Sequence, residues 1–255
     1  MGRVTESRQV GLARALSKLG FCSRSQAAKL IRAGRVRLNG ATRRDPETPV
    51  RLQRDRIEVN GNAVTAESRI YLMLNKPRGV ITTASDEKGR QTVYSLLDET
   101  LPWVGPVGRL DQASEGLLLL TNDSEWAGRI ADPCSHLEKT YHVQVSALRG
   151  EIPAEKLLRG VVSRGEVLRA GQARVLRGGE KNTWVEIVLD EGKNRQIRRM
   201  FEGLGIEVLR LIRVAIGPLI LGQLGKGKVR ALAGTEKAAL DHALRIPAKG
   251  RIFTK

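Results

Sequence analysis

Gly108-Arg109-Leu110-Asp111-Gln112-Ala113-Ser114-Glu115-Gly116 runs directly into Leu117-Leu118-Leu119-Leu120-Thr121-Asn122-Asp123. A polar loop bracketed by glycines thus feeds an unbroken aliphatic run. A short aliphatic run of this kind suits a buried strand, and such a strand would hold the loop rigidly at its end. Asp111 sits in that loop close to Arg109. On these residues alone, Asp111 is either a carboxylate held for chemistry or half of a structural ion pair, since ion pairs in loops are common.

Outward from this loop, strands are expected at 70–74, 80–83, 117–121, 141–145 and 184–189, and helices at 92–97, 124–130, 154–158, 194–204 and 236–244. They intermix without the regular alternation of a doubly wound sheet. That pattern points to an α+β fold, with a mostly antiparallel mixed sheet flanked by helices. The amino-terminal texture differs. Leu12, Ala15, Leu16 and Leu19 recur at helical spacing and Gly20 stops the helix. Ser23 and Ser25 are candidate caps of a second helix, whose buried face is Ala27, Ala28, Leu30 and Ile31. The stretches 35–40 and 56–61 alternate charged and apolar residues and end in Asn-Gly, a hairpin signal. A small domain at 1–61, a linker at 62–69, a larger domain at 70–245 and a basic tail at 246–255 are expected.

Charge narrows the partners. Lys and Arg number 44 against 27 acidic residues, a net of +17. Residues 1–60 carry 14 basic and 5 acidic residues, a net of +9. The basic residues interleave with apolar ones, so they project from a folded surface: a solvated basic face, or a module that binds a polyanion. Phosphate backbones favour such a surface because counterions are released. A membrane surface would need an amphipathic aromatic helix, and aromatics are only 4%. No apolar run is long enough to span a bilayer, and the charged first twenty residues hold no signal-peptide core. Two distant cysteines, Cys22 and Cys134, suggest a reduced, cytoplasmic setting.

Several motifs dissolve on inspection. Gly222-Gln-Leu-Gly-Lys-Gly227-Lys228-Val229 approaches a phosphate-binding loop, but Val229 stands where the metal-holding hydroxyl belongs. Ser85 to Lys88 has Ser-x-x-Lys spacing without companion motifs. The three histidines form no ligand set, so neither metal nor cofactor is expected. Two segments remain. In Glu191-Gly-Lys193-Asn194-Arg195-Gln196-Ile197-Arg198-Arg199-Met200, apolar residues share one helical face and the arginines lie elsewhere, as a solvated face or as a phosphate grip. In Glu138-Lys139-Thr140-Tyr141-His142-Val143, one of only three tyrosines opens a strand, either as core or as a site residue.

Taken together, these segments resemble the pseudouridine synthases, specifically the RsuA-type branch that modifies ribosomal RNA. The resemblance runs over about residues 70–240. It is carried by Tyr71-Leu-Met-Leu-Asn-Lys76-Pro77-Arg78-Gly79-Val80, the Gly-Arg-Leu-Asp loop, Lys139-Thr-Tyr141, Gly192-Lys-Asn-Arg195-Gln-Ile-Arg198-Arg-Met200, and Val208-Leu-Arg-Leu211-Ile-Arg213 leading to Ile216-Gly217-Pro218. Residues 8–60 resemble the RNA-binding domain first seen in the fourth small-subunit ribosomal protein. Ser114 departs from the family, which usually has Thr there, but keeps the hydroxyl.

The resemblance implies the pseudouridine synthase fold and isomerisation of uridine in ribosomal RNA without metal or cofactor. Asp111 would be the catalytic carboxylate, with the guanidinium of Arg198 beside it favouring the charged form. Tyr141 would stack on the target uracil and help remove its proton. The uridine must leave its stack first; Arg109 would fill the vacated space or hold the flanking phosphate. Arg195 and Arg199 would grip the backbone, Arg213 would sit at the pocket rim, and Lys76, Arg24, Lys29, Arg35 and Arg37 would also meet RNA. Large-subunit 23S RNA is slightly favoured over 16S, and a monomer is expected. The alternative of another class is a non-catalytic RNA-binding assembly factor; retention of Asp111, Tyr141 and Arg198 together argues against it.

Overall fold

Two Asn-Gly pairs shape the amino-terminal sheet. Asn39 and Gly40 take φ of 52° and 82°, and Asn60 and Gly61 take 53° and 84°. Both residues of each turn are left-handed, which matches the twist of a two-residue hairpin. The strands run in the order Ala41–Arg43, Val36–Leu38, Ile57–Val59, Asn62–Ala63. Helices Leu12–Lys18 and Arg24–Arg32 pack on them through Leu12, Leu16, Ala27 and Ile31, all fully buried against Val36, Ile57 and Val59. Ser23 caps the second helix: its hydroxyl accepts from Gln26 N at 3.1 Å, and the Gln26 side chain accepts from Ser23 N at 3.0 Å.

The computed structural model describes residues 9–84, 86–146 and 152–245. The expected basic tail, the first eight residues of the expected small domain and Ser85 lie outside them. The described chain divides into two compact units, one of residues up to 71 with 98–105 and 120–127, the other of 72–97, 106–119 and 128 onward. The segment expected as a linker is largely engaged. Asn62–Ala63 is the last strand of the small sheet, because the Asn60-Gly61 turn sends the chain back along Ile57–Val59. Val64 N then donates to Ile57 O at 2.9 Å, Glu67 N to Leu19 O at 3.0 Å, and the Asn122 side chain bridges Ser68 O and Ile70 N.

The large sheet has seven principal strands: β1 Tyr71–Lys76, β2 Glu115–Thr121, β3 Lys139–Ser146, β4 Gln172–Gly178, β5 Asn182–Leu189, β6 Val208–Ile216 and β7 Val229–Ala231. Their order is β4-β5-β3-β6-β2-β1-β7. The β4–β5, β5–β3, β3–β6 and β1–β7 pairs are antiparallel and β6–β2 is parallel. The expected α+β class with a mostly antiparallel mixed sheet is therefore what forms. Val143, Val145, Val185 and Ile187 bury one face against Ile197, Met200 and Phe201 of the helix Gln196–Gly203. No helix among the described residues is long and apolar enough to cross a membrane.

Some expected elements change. Residues 80–83 form no strand beyond a single bridge from Ile81 to Thr92, and Thr82 instead ties the segment to the site loop, its hydroxyl donating to Leu110 O at 2.8 Å. The expected helix at 92–97 is a single 3-10 turn, Val93–Leu96. The near phosphate-binding loop is two turns leading into β7. β4, β6 and β7 were not anticipated as strands.

Gly116 is the tightest joint of the sheet. Its φ is +102°, and a Cβ there would lie 2.2 Å from Arg213 O. Only glycine lets β2 come this close to β6 at the Arg213–Gly116 pair. Gly116→Ala is expected to cost ~3 kcal/mol or more of folding stability, since it combines backbone strain with a main-chain clash. A denaturant melt with an unchanged midpoint would contradict this role.

Candidate active site

The loop from Leu110 to Ser114 is held by its carbonyls. Lys76, at the end of β1, is fully buried. Its Nζ donates to Pro77 O at 3.1 Å, Asp111 O at 3.1 Å and Ser114 O at 2.8 Å. Thr82 Oγ1 donates to Leu110 O, and Arg198 Nη2 donates to Ala113 O at 3.0 Å. Gly79 N donates to Gln112 O at 2.8 Å, and the Gln112 amide returns a bond to Gly79 O at 3.0 Å. Every carbonyl from residue 110 to 114 therefore has a donor, so the main chain of Asp111 is fixed while its carboxylate is left out of the lattice.

That carboxylate lines a cleft of about 520 Å³ together with Arg109, Ser114, Lys139, Tyr141, Lys193, Arg195 and Arg213. Leu110, Leu189, Leu211 and Ile216 form apolar walls. Arg195 Nη1 approaches Asp111 Oδ2 at 3.9 Å, with both side chains substantially exposed. A pair this long and this wet is worth ~1 kcal/mol at most, so an incoming substrate can displace it.

Arg195 is aimed by its own backbone. It precedes the helix Gln196–Gly203 in a left-handed conformation, φ 49° and ψ 31°. A non-glycine residue holds this conformation only where its surroundings enforce it. Gln196 supplies the enforcement. It is buried, its Nε2 donates to Arg169 O at 3.0 Å and Glu191 Oε1 at 2.7 Å, and its Oε1 accepts from Lys193 N at 3.2 Å. Sequence reasoning placed Gln196 in the motif but gave it no task; its burial at the very start of a helix, which only the fold reveals, is what marks it.

The structure brings Asp111, Tyr141, Arg109, Arg195 and Arg213 into one cleft, but redistributes several roles. Lys76 cannot meet RNA, because its ammonium is wholly enclosed by loop carbonyls. Arg199 is buried, and donates to Ser163 O at 2.7 Å and Glu166 Oε2 at 2.8 Å, so it braces the hairpin Val161–Leu168 and grips no backbone phosphate. Arg198 spans Val208 O and Ala113 O, and it is Arg195 that stands within ion-pair distance of Asp111. Burial lowers the Arg198 pKa, as does the charge of Arg195, while Asp111 raises it. Arg213 lies in the cleft floor, not its rim, with only 6% exposed. In the first unit Arg24, Lys29, Arg35 and Arg37 are all exposed; Arg35 Nε donates to Asn60 Oδ1 at 2.7 Å. Lys139 and Lys193 are cleft cations to which no role was assigned from sequence.

Glu115, next to the loop, is 5% exposed. Burial pushes its carboxyl up, but hydrogen bonds from Arg210 and Lys226 outweigh burial and leave it below the usual glutamate value. Arg210 binds it in a fork, at 3.0 Å to each oxygen, and Lys226 stands 2.9 Å away.

Known proteins share this architecture. The family model for RNA pseudouridylate synthase matches residues 70–203, and that for the S4 domain matches residues 10–57. Ribosomal large subunit pseudouridine synthase B of Bacillus subtilis (strain 168) is 36% identical over 237 residues, covering 91% of this chain and 97% of that protein. An RNA pseudouridine synthase of Aquifex aeolicus (strain VF5), uncharacterized, is 37% identical over 237 residues, covering 92% and 95%. A crystal structure of a pseudouridylate synthase matches with a TM-score of 0.64 at 32% identity, over 91% of this chain and 99% of that one.

Burial pushes the Lys76 ammonium down to about 8; Asp111 and Glu115 resist the shift and Arg213 adds to it. A neutral amine has two hydrogens for three carbonyls. Turnover should therefore fall as pH rises through about 8. Stability moves the other way: between about 8 and the ordinary 10.5, the unfolded chain holds a proton the folded one lacks, so this group's contribution rises with pH. Lys76→Met should lower turnover by ~100-fold, through a misplaced Asp111. Paired pH profiles of rate and melting temperature check both signs; a wild-type rate that is flat across this window would refute the first.

Proposed function

Because the chain belongs to the RNA pseudouridylate synthase family, we propose that it converts specific uridines of large-subunit ribosomal RNA to pseudouridine, with Asp111 as the catalytic carboxylate. The observation that carries this reading is the contrast at Asp111: a main chain fixed on every side of a loop, and a carboxylate held only by a long contact to Arg195 in a cleft lined by cations. The reaction breaks one carbon–nitrogen bond and forms one carbon–carbon bond with the same base, so it needs positioning and charge, which such a loop supplies.

In this reading the target uridine flips out of its helix. Tyr141, part-exposed on β3, stacks on the base and assists removal of its proton. Exposed Arg109 takes the vacated space or the flanking phosphate, and Arg195 trades its long contact with Asp111 for the RNA backbone. The S4 domain supplies affinity through Arg24, Lys29, Arg35 and Arg37. The protein works as a cytoplasmic monomer. The choice of large-subunit RNA rests on the name of the Bacillus subtilis relative.

Pseudouridines are to be mapped across 16S and 23S RNA from cells lacking the gene, complemented with wild type or with Asp111→Asn. The expected result is one 23S site, or a small cluster, that vanishes on deletion, returns with wild type and stays absent with the Asn variant. Persistence of every site, with no second synthase covering it, would leave a non-catalytic RNA-binding factor as the better account. Separately, the double variant Arg24→Ala/Arg37→Ala should weaken RNA binding and reduce its salt slope by ~1 for each phosphate that is no longer neutralised. The single-turnover rate at saturating enzyme should stay unchanged; a fall in that rate would contradict the division of labour.

A further inference from the structure

Within the reading of Asp111 as a uridine isomerase's carboxylate, the floor of the cleft holds a cation that is only partly satisfied by the chain. Arg213, on β6, is only 6% exposed yet lines the cleft. Its Nε donates to Leu117 O at 2.7 Å, while Nη2 is buried with no acceptor among the described residues. A guanidinium keeps its charge in any environment, and a buried charged donor without an acceptor is strongly unfavourable. Arg213 also lines the cleft, so an oxygen that enters there meets a charge the chain leaves partly uncompensated.

The surroundings define that oxygen. Tyr141 is the direct cross-strand neighbour of Arg213. Leu189, Leu211 and Ile216 wall the cleft with apolar surface. A planar base suits a floor flanked by a ring and aliphatic walls. Lys139 lines the same cleft, and burial and the charge of Arg213 hold its ammonium below the ordinary lysine value, against the pull of Asp190. Two cations kept this close are costly when the cleft holds water, and suited to an occupant that becomes anionic.

We propose that Arg213, with Lys139 beside it, binds a carbonyl oxygen of the flipped uracil and stabilises the negative charge the base carries while it is detached from the ribose. When the bond between ribose C1′ and base N1 breaks, its electron pair stays with the base. This holds whether Asp111 attacks the ribose or takes a ribose proton, and the carboxylate's own charge is neutralised in that step. The uracil anion spreads its charge over N1 and the two carbonyl oxygens. The base then turns and C5 bonds to C1′ as the carboxylate either leaves C1′ or returns the proton to the ribose, regaining its charge; the hydrogen on C5 leaves as a proton and N1 takes one up, so charge and atoms balance. Donors fixed where charge develops act on the chemical step and little on ground-state binding.

The test uses a synthetic RNA segment around the uridine found by mapping, with that uridine as such, as 2-thiouridine or as 4-thiouridine. Sulfur is the poorer acceptor. On the all-oxygen RNA, Arg213→Gln should slow single-turnover isomerisation by ~100-fold, with the RNA Kd and its salt slope unchanged; Arg213→Lys should recover part of the rate. Wild type should be slowed by at least one thio-RNA, and Arg213→Gln should show no such sensitivity. A thio effect equal in wild type and variant overturns the proposal. So does an unchanged rate with weaker binding and a salt slope reduced by ~1, the signature of a phosphate contact. If Arg213→Gln does not fold, as seen by circular dichroism, the wild type decides alone: equal rates on all three RNAs overturn the proposal. Failure of wild type to isomerise the unmodified RNA would instead sink the functional reading on which the proposal rests.

Discussion

A buried ammonium anchors everything around the cleft. Lys76 closes β1 by giving its donors to the carbonyls of Pro77, Asp111 and Ser114. A neutral side chain could not satisfy three converging acceptors, and leaving them bare in the interior would be strongly unfavourable. The nearby carboxylates of Asp111 and Glu115 offset only part of the cost of desolvating the charge, which is why the ammonium is held below the ordinary lysine value. Glu115 is in turn held by Arg210 and Lys226. The loop is thus the meeting point of an electrostatic network whose members come from β1, β2, β6 and the turn before β7. Asp111 inherits its position from that network without contributing its own carboxylate to a described hydrogen bond.

The net charge of the chain splits into two populations by the same logic. One part is spent on the protein's own acceptors. Arg199 goes to Ser163 and Glu166, Arg210 to Glu115, Arg230 to Glu236, and Arg198 to two carbonyls. The other part is exposed and available to a polyanion, including Arg109 and Arg195 at the cleft and Arg24, Lys29 and Arg37 on the S4 domain. A count of basic residues cannot separate these populations, because a guanidinium suits a carbonyl or a carboxylate as well as it suits a phosphate. That is why an arginine-dense motif such as residues 195–199 read as a phosphate grip, although its third arginine is structural.

The parts of the fold that were legible in sequence are those with local causes. The Asn-Gly turns, the Ser23 cap, the aliphatic run of β2 and the apolar face of the helix Gln196–Gly203 each follow from neighbouring residues. β4 and β6 escaped for a common reason. Arg174 and Arg177 punctuate β4, and Arg210 and Arg213 punctuate β6, so neither reads as a clean apolar strand. β4 pairs with the next strand, Trp184 and Glu186 facing its arginines, while the pairing of β6 is decided by Glu115 and Tyr141, far away in sequence. The site divides likewise. Asp111 and Tyr141 stood out by motif, whereas the tasks of Lys76 and Arg199 depended on which acceptors the fold brings to them.

Arg195 shows how a weak contact can be useful. Its left-handed backbone is strained, and Gln196 sustains it by tying Glu191, Lys193 and Arg169 together. The outcome is only a 3.9 Å approach to Asp111 across a wet cleft. A tight, dry pair would have fixed the carboxylate more firmly, but would also have to be broken before RNA could enter, at a cost of several kcal/mol. A long, exposed pair keeps the cation near the carboxylate while leaving both groups free for substrate. Strain is thus placed in the backbone, where it aims the side chain. The side-chain contact itself stays loose, and firmness is reserved for the carbonyls beneath Asp111.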